Sequence, residues 1–244
     1  MLETPAPVVP GGLAGGAAVV IDVLRATSSI STAISSGCRG VIPAESKDEA
    51  LALKKSHPEA LLGGEIASKK IEGFDLGNSP ADYSPEAVSG KEVIMSTSNG
   101  TKAVLAAQRG GAEPILIASF LNLSAVARRV WHEMSGRRKN LTVICSGSRG
   151  KPSLEDFACA GAITKAVIAL AGKGQVSPDE TAKKAVEVFE SYRGNTLEIL
   201  RASPHGQDLI SLGFGEDLRR AAALDSLNVV PVFDGTAIVA LSQR

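Results

Sequence analysis

The chain has 244 residues; 44% are hydrophobic, only 4% are aromatic, and 26 basic side chains balance 26 acidic ones. A net charge of zero argues against a broad nucleic-acid or membrane surface, so an anionic ligand must be met by local charges. Three widely spaced cysteines (Cys38, Cys145, Cys159) argue against a disulfide framework and fit a reducing cytosol.

No basic region precedes an apolar one at the N-terminus, and no apolar run reaches a membrane span, so a soluble, cytoplasmic protein is expected. The core must come mainly from Val, Ile, Leu and Ala. Residues 17–22 and 40–44 predict strands, and Ser46 with Glu49 three residues on predicts a capped helix over 46–56. Residues 63–85 are rich in Gly, Ser, Asn and Pro and predict an irregular, functional loop. Strands are then expected over 91–96, 114–118 and 141–145, and helices over 101–109, 123–135 and 153–171. The last helix opens at Ser153 and stops at Lys173-Gly174.

These strands are continuously apolar, as in a sheet covered on both faces. The order predicts an α/β fold: a mostly parallel or mixed sheet covered by helices in three layers, one domain over 1–244. Residues 177–225 read as short helices separated by Gly or Pro, an insert with apolar faces too narrow for a core of its own. The end of the chain predicts a β-hairpin around Asp234-Gly235, which Pro231 would place at a sheet edge or bulge. The sequence sets no oligomeric state and is compatible with a homodimer.

Three apolar runs end in small polar residues and then enter a helix. The junctions are Asp22 to Ser29, Ser96 to Thr101, and Cys145 to Ser153. At the carboxyl ends of parallel strands such junctions form ligand sites, where helix N-termini offer free N–H groups to anions. Taken singly, each is an ordinary set of caps and turns; three together, with charge added at the first and third, point to a shared site.

Several known motifs fail. A Walker loop needs Gly where Cys145 stands, five residues before Gly150, and Pro152 follows Lys151. A cysteine phosphatase would have Arg in place of Lys151 and His in place of Ile144. An aspartyl-phosphate enzyme of the haloacid dehalogenase type would have Asp at Leu24.

Among the acids, Asp22 and Glu65 are the best candidates for Mg²⁺, which takes one or two carboxylates and keeps waters. The plainer alternatives are an Asp22–Arg25 salt bridge, a solvated Glu65, and first-turn helix acids at Glu155 and Asp156. His57 and His132 fall near helix ends and are expected to be exposed; His205 could join the site.

Six stretches carry a family resemblance: IDVLRATSSI (21–30), GE (64–65), GFDLGNSP (73–80), STSNGT (96–101), CSGSRGKPSLEDFACAG (145–161) and SPHGQDLISLG (203–213). Ordered over most of the chain, they resemble the 2-phosphosulfolactate phosphatase family; Ser29 departs from the more usual Thr. The resemblance implies a Mg²⁺-dependent hydrolase converting 2-phospho-3-sulfolactate to 3-sulfolactate and phosphate, a step of coenzyme M biosynthesis in some organisms.

The resemblance carries no settled catalytic assignment; from the residues, Asp22 and Glu65 are expected to bind metal, with direct attack by water favoured over an aspartyl-phosphate on Asp22 as the alternative. Arg25 and the N–H groups around Thr27, Ser28, Asn99, Gly100 and Thr101 meet the phosphate, and Asn78 and Ser79 orient the substrate. The loop of Ser146, Gly147, Arg149 and Lys151 holds its other acid groups, and Glu155, Asp156 or His205 supplies the proton. Another phosphorylated 2-hydroxy acid, a Cys145 phosphatase and a non-catalytic anion binder are the alternatives.

Overall fold

A computed structural model describes residues 1–137, 140–172 and 174–241. The elements run β1 (Ala17–Ile21), α1 (Ala26–Ser35), β2 (Gly40–Ala44), α2 (Lys47–Ser56), β3 (Leu61–Ile66), β4 (Lys69–Lys70), α3 (Pro85–Val88), β5 (Glu92–Ser96) and α4 (Gly100–Arg109). Then come β6 (Ile115–Ala118), α5 (Leu123–Arg137), β7 (Leu141–Cys145), α6 (Leu154–Ala171), α7 (Glu180–Ser191), α8 (Thr196–Ala202), α9 (Pro204–Ser211), α10 (Gly215–Ala221), β8 (Pro231–Phe233) and β9 (Ile238–Ala240). Lys173 of the expected stop signal lies outside the described residues; α6 closes at Gly172, which takes a positive φ of 80°. Ser46 caps α2 as its spacing predicts, accepting the Glu49 N–H at 3.2 Å.

The fold is α/β with a mixed sheet. Among the described residues nine strands lie in the order β4-β3-β5-β2-β9-β8-β6-β1-β7. Alternation along β1 shows the layers. Val19 and Ile21 pack with Val126 of α5 and Ile163 of α6, while Ala18 and Val20 pack with Ile30 of α1 and Val104 of α4. In the other half of the sheet, Val41 and Val93 join the α1 and α4 side, and Ile42 and Ile94 pack with Ala50 of α2. Both faces are therefore apolar, and each fully buried Val or Ile stabilises by about 1.5–3 kcal/mol. Ile199, Leu209 and Leu218 of α8, α9 and α10 join the same cluster as Val19, so these helices share the core of the sheet.

The hairpin corrects one expectation. β8 and β9 do not lie at an edge; they stand in the middle, with β8 on β6 and β9 on β2. Pro231 is tolerated because it is the first residue of β8. Two parallel triplets flank the hairpin, β3-β5-β2 and β6-β1-β7. Three successive antiparallel pairings separate them, so the ladder nominally sets the triplets in opposite senses. Their carboxyl ends nevertheless line one cavity (below).

The loop expected over 63–85 is also corrected, because its first residues belong to β3. Gly63-Gly64 hides the strand signal and is required by packing. A Cβ on Gly63 would approach Tyr83 Oη to 2.7 Å, and one on Gly64, at φ +142°, would overlap the Ser96 carbonyl. Gly64→Ala is therefore expected to destabilise the protein by about 3 kcal/mol or more, read as a lower denaturant midpoint at constant slope. A shift within about 0.5 kcal/mol would mean that β3 and β5 can part without cost.

Candidate active site

The first junction is held by its own hydroxyls. Thr27 Oγ1 donates to the Asp22 carbonyl (2.8 Å) and accepts the Asp22 N–H (3.0 Å), and Ser28 Oγ donates to the Val23 carbonyl (2.8 Å). Ser29 Oγ reaches the Asn78 carbonyl at 2.7 Å, pinning this loop to the segment after β4. These bonds start α1 and hold the Asp22 carboxyl at its N-terminus, where Oδ1 accepts the Ala26 N–H at 3.2 Å.

Asp22 lines a cavity of about 310 Å³ together with Arg25, Glu65, Asn78, Ser98 and His205; Asn99, Ser148 and Arg149 complete its rim. Glu65 is not a solvated loop acid. It is buried at the end of β3, accepting N–H bonds from Ser98 (2.8 Å) and Ser68 (2.7 Å) and a hydroxyl bond from Ser98 (3.2 Å). The second junction brings α4 against Asp22 through Gly100, where a Cβ would stand 2.7 Å from Asp22 Oδ2. Thr97 and Thr101 exchange bonds there, each backbone N–H donating to the other's Oγ1 at 3.1 Å.

The third junction is braced by Asp156. Its carboxylate accepts the Val23 N–H at 2.8 Å and the Gly147 N–H at 3.0 Å, tying β1 and β7 loops together. Both oxygens face backbone rather than the cavity. Ser146 is buried beside it with no partner for its hydroxyl among the described residues. Arg149 is exposed, 3.4 Å from Asp208, and Lys151 and Glu155 line an adjoining cavity.

Arg25 does not pair with Asp22. Its guanidinium, 3% exposed, donates to Asp217 Oδ2 at 2.7 Å and to the Ser68 carbonyl at 2.6 Å, and lies 4.4 Å from the centre of the Phe214 ring. Ser79 Oγ occupies the other Asp217 oxygen at 2.6 Å. Asp217, Ser68 and Phe214 are the contributors that the sequence reading passed over, and Ser98 stood in the second junction without an assigned role. In Gly215-Glu216-Asp217 the acid reads as an ordinary first-turn helix residue, and only its burial distinguishes it.

Of the histidines, His132 is exposed and His57 is half-buried, 3.3 Å from Glu92. His205 enters the cavity from the first turn of α9.

Electrostatics single out the acids. Burial raises the Asp22 carboxyl to about 7; the Ala26 N–H opposes this, and Glu65 and Glu155 add to it. Burial also raises Glu155, and it raises Asp156 well above the usual range with help from Asp22 and Glu155. Burial lowers His205, and Arg25 lowers it further. Burial pushes the Cys145 thiol well up, which opposes a thiolate nucleophile.

The raised acids set a sign. A native Asp22 titrating near 7, against an ordinary 3.8, holds a proton that the unfolded chain has released. Without divalent cations, stability is therefore expected to fall as pH rises through that window. Denaturant unfolding at pH 5, 6, 7 and 8 checks this: the decline should flatten in Asp22→Asn, and an equal slope in both proteins would refute the assignment.

The donor set is all oxygen. Asp22 and Glu65 face one cavity, and the buried Asn78 Oδ1 lacks a hydrogen-bond partner among the described residues. No cluster of three His, Cys, Asp or Glu side chains assembles among those residues. Close acids and an unpaired amide oxygen fit a hard cation that keeps its waters, as Mg²⁺ does.

Acids, a held arginine and a helix start at strand ends suit work on a small oxyanion, and the comparisons place the chain among the phosphoric monoester hydrolases. A family model described as 2-phosphosulpholactate phosphatase matches residues 3–236. Similar proteins named "Probable 2-phosphosulfolactate phosphatase" occur in Thermotoga petrophila (42% identical over 214 residues, 88% of this chain and 87% of the relative). Others occur in Symbiobacterium thermophilum (39% over 232 residues, 94% and 96%) and Clostridium perfringens (40% over 222 residues, 89% and 86%). The chain belongs to the 2-phosphosulfolactate phosphatase family.

Proposed function

We propose that this chain hydrolyses 2-phospho-3-sulfolactate to 3-sulfolactate and phosphate, with Mg²⁺ held by Asp22 and Glu65. The observation that carries the metal assignment is the meeting of these two buried acids, one from each parallel triplet, at one cavity. Mg²⁺ bound there would supply Lewis-acid neutralisation of charge on the phosphoryl oxygens.

The remaining work falls to the chain itself. Arg25, fixed by Asp217 and Ser68, brings positive charge to the cavity wall. At the start of α4 the Thr101 N–H is taken by Thr97 Oγ1, so Asn99, which lines the cavity and makes no side-chain cap, is the residue placed to meet an oxyanion there. Asn78 lines the same wall and Ser79 holds Asp217 in place. Of the three candidate proton donors His205 is the one that lines the main cavity, whereas Asp156 is occupied by backbone and Glu155 faces the neighbouring space; since burial and Arg25 favour its neutral form, it would take up its proton with the bound anionic substrate beside it. The reading includes a cytoplasmic enzyme acting on a free small molecule; no helix among the described residues is long and apolar enough to cross a membrane.

Phosphate release from 2-phospho-3-sulfolactate and from other phosphorylated 2-hydroxy acids, with Mg²⁺ or with EDTA, tests the proposal. Activity is expected to vanish with EDTA, to return with Mg²⁺, and to survive in Cys145→Ser at matched folded protein. Turnover that persists in EDTA but is lost in Cys145→Ser would replace this mechanism with a thiol-based one.

A further inference from the structure

A second cavity of about 320 Å³ adjoins the first and shares Ser148, Arg149 and His205 with it. Lys151 and Glu155 line only this second space. A tight turn holds its basic rim: the Ser148 N–H donates to the Lys151 carbonyl (2.8 Å) and the Lys151 N–H to the Ser148 carbonyl (3.0 Å). Arg149 and Gly150 complete the turn at positive φ (52° and 74°). Arg149 leans towards Asp208, whereas Lys151 makes no ion pair among the described residues.

Glu155 is only 2% exposed, and its Oε2 has no hydrogen-bond partner among the described residues. A buried polar oxygen left alone is costly, and beyond the carboxyl's interaction with Ser203 this oxygen is open to a partner from the cavity that Glu155 lines. An ionised Glu155 would repel an anion; burial favours the neutral form, whose hydroxyl donates.

We propose that this second cavity is the sulfonate subsite, with the Lys151 ammonium supplying charge and Glu155 a hydrogen-bond donor. The identity of the group rests on the function proposed above. In 2-phospho-3-sulfolactate the carboxylate sits on the phosphorylated carbon, whereas the sulfonate sits one carbon further out. The outer group is thus the one that reaches a neighbouring space while the phosphate stays in the first. A sulfonate carries three acceptor oxygens and a permanent charge, which the lysine and the neutral acid match. In the first cavity Arg25 is held by Asp217 on the side where the phosphate is proposed to sit, whereas Lys151 makes no ion pair among the described residues and faces the second space.

Equilibrium binding of 3-sulfolactate against lactate, by calorimetry in the presence of Mg²⁺, tests the subsite without turnover. Wild-type protein is expected to prefer 3-sulfolactate by roughly tenfold or more, the scale of one charged hydrogen bond. Lys151→Met and Glu155→Ala should bring that ratio towards one. Glu155→Gln, whose amide still donates, should keep most of it. Thermal melts identify any variant that has merely unfolded. Equal binding of both ligands by wild type, or a ratio unmoved in folded Lys151→Met, overturns the subsite. Absence of phosphate release together with a preserved ratio overturns the proposed activity alone.

Discussion

Asp22→Asn is expected to lower kcat/KM for phosphate release by about 10³-fold or more and to make the metal-free protein more stable. Asn keeps the size of the side chain and an oxygen for the Ala26 N–H, so the junction should still form. What is lost is a carboxylate that burial and two neighbouring acids hold against ionisation. Such a group is unfavourable to the fold alone, and its removal relieves repulsion between buried acids. Opposite movement of activity and stability separates a functional acid from a structural one. Phosphate release and thermal melts, each with and without Mg²⁺, provide the test. Mg²⁺ should raise the wild-type melting temperature more than that of Asp22→Asn. Activity within tenfold of wild type would remove Asp22 from the chemistry.

The second large effect is expected at Asp217. Truncation to Ala leaves Arg25 buried and unpaired and frees Ser79, a change worth about 3–5 kcal/mol. For a chain of this size that corresponds to a melting temperature lower by about 6–20 °C. The double variant Arg25→Met/Asp217→Leu should recover much of the stability, since no charge is stranded, but none of the activity. Recovery of both would show the pair to be only a structural clasp, and a loss below about 1 kcal/mol in Asp217→Ala would show that water reaches the arginine.

Elements that depend on local pattern were readable from the sequence. The runs at 17–21 and 141–145 form neighbouring strands of one triplet, and Asp22 and Ser146 follow directly at their ends. Long-range pairings were not readable. Arg25 finds Asp217 across 192 residues, while the acid beside it in sequence, Asp22, turns to the Ala26 N–H instead. Glu65 looked like a loop acid because a glycine pair precedes it, yet those glycines exist to let β3 press against β5. Pro231 suggested an edge because proline cannot donate to a ladder; the first position of a strand satisfies the same restriction anywhere in the sheet. Asp156 kept its helix-start position, but its carboxylate serves two other loops, a role fixed by which strands become neighbours.

The central position of the β8–β9 hairpin bears on synthesis at the ribosome. Both parallel triplets are encoded by residue 145, well before the strands that join them at 231–240. A nascent chain can thus assemble each triplet early, but Asp22 belongs to one and Glu65 to the other. In the finished fold the only strands between the two triplets are the last two of the described chain. A chain ending before residue 231 would lack the two strands that join the triplets carrying Asp22 and Glu65.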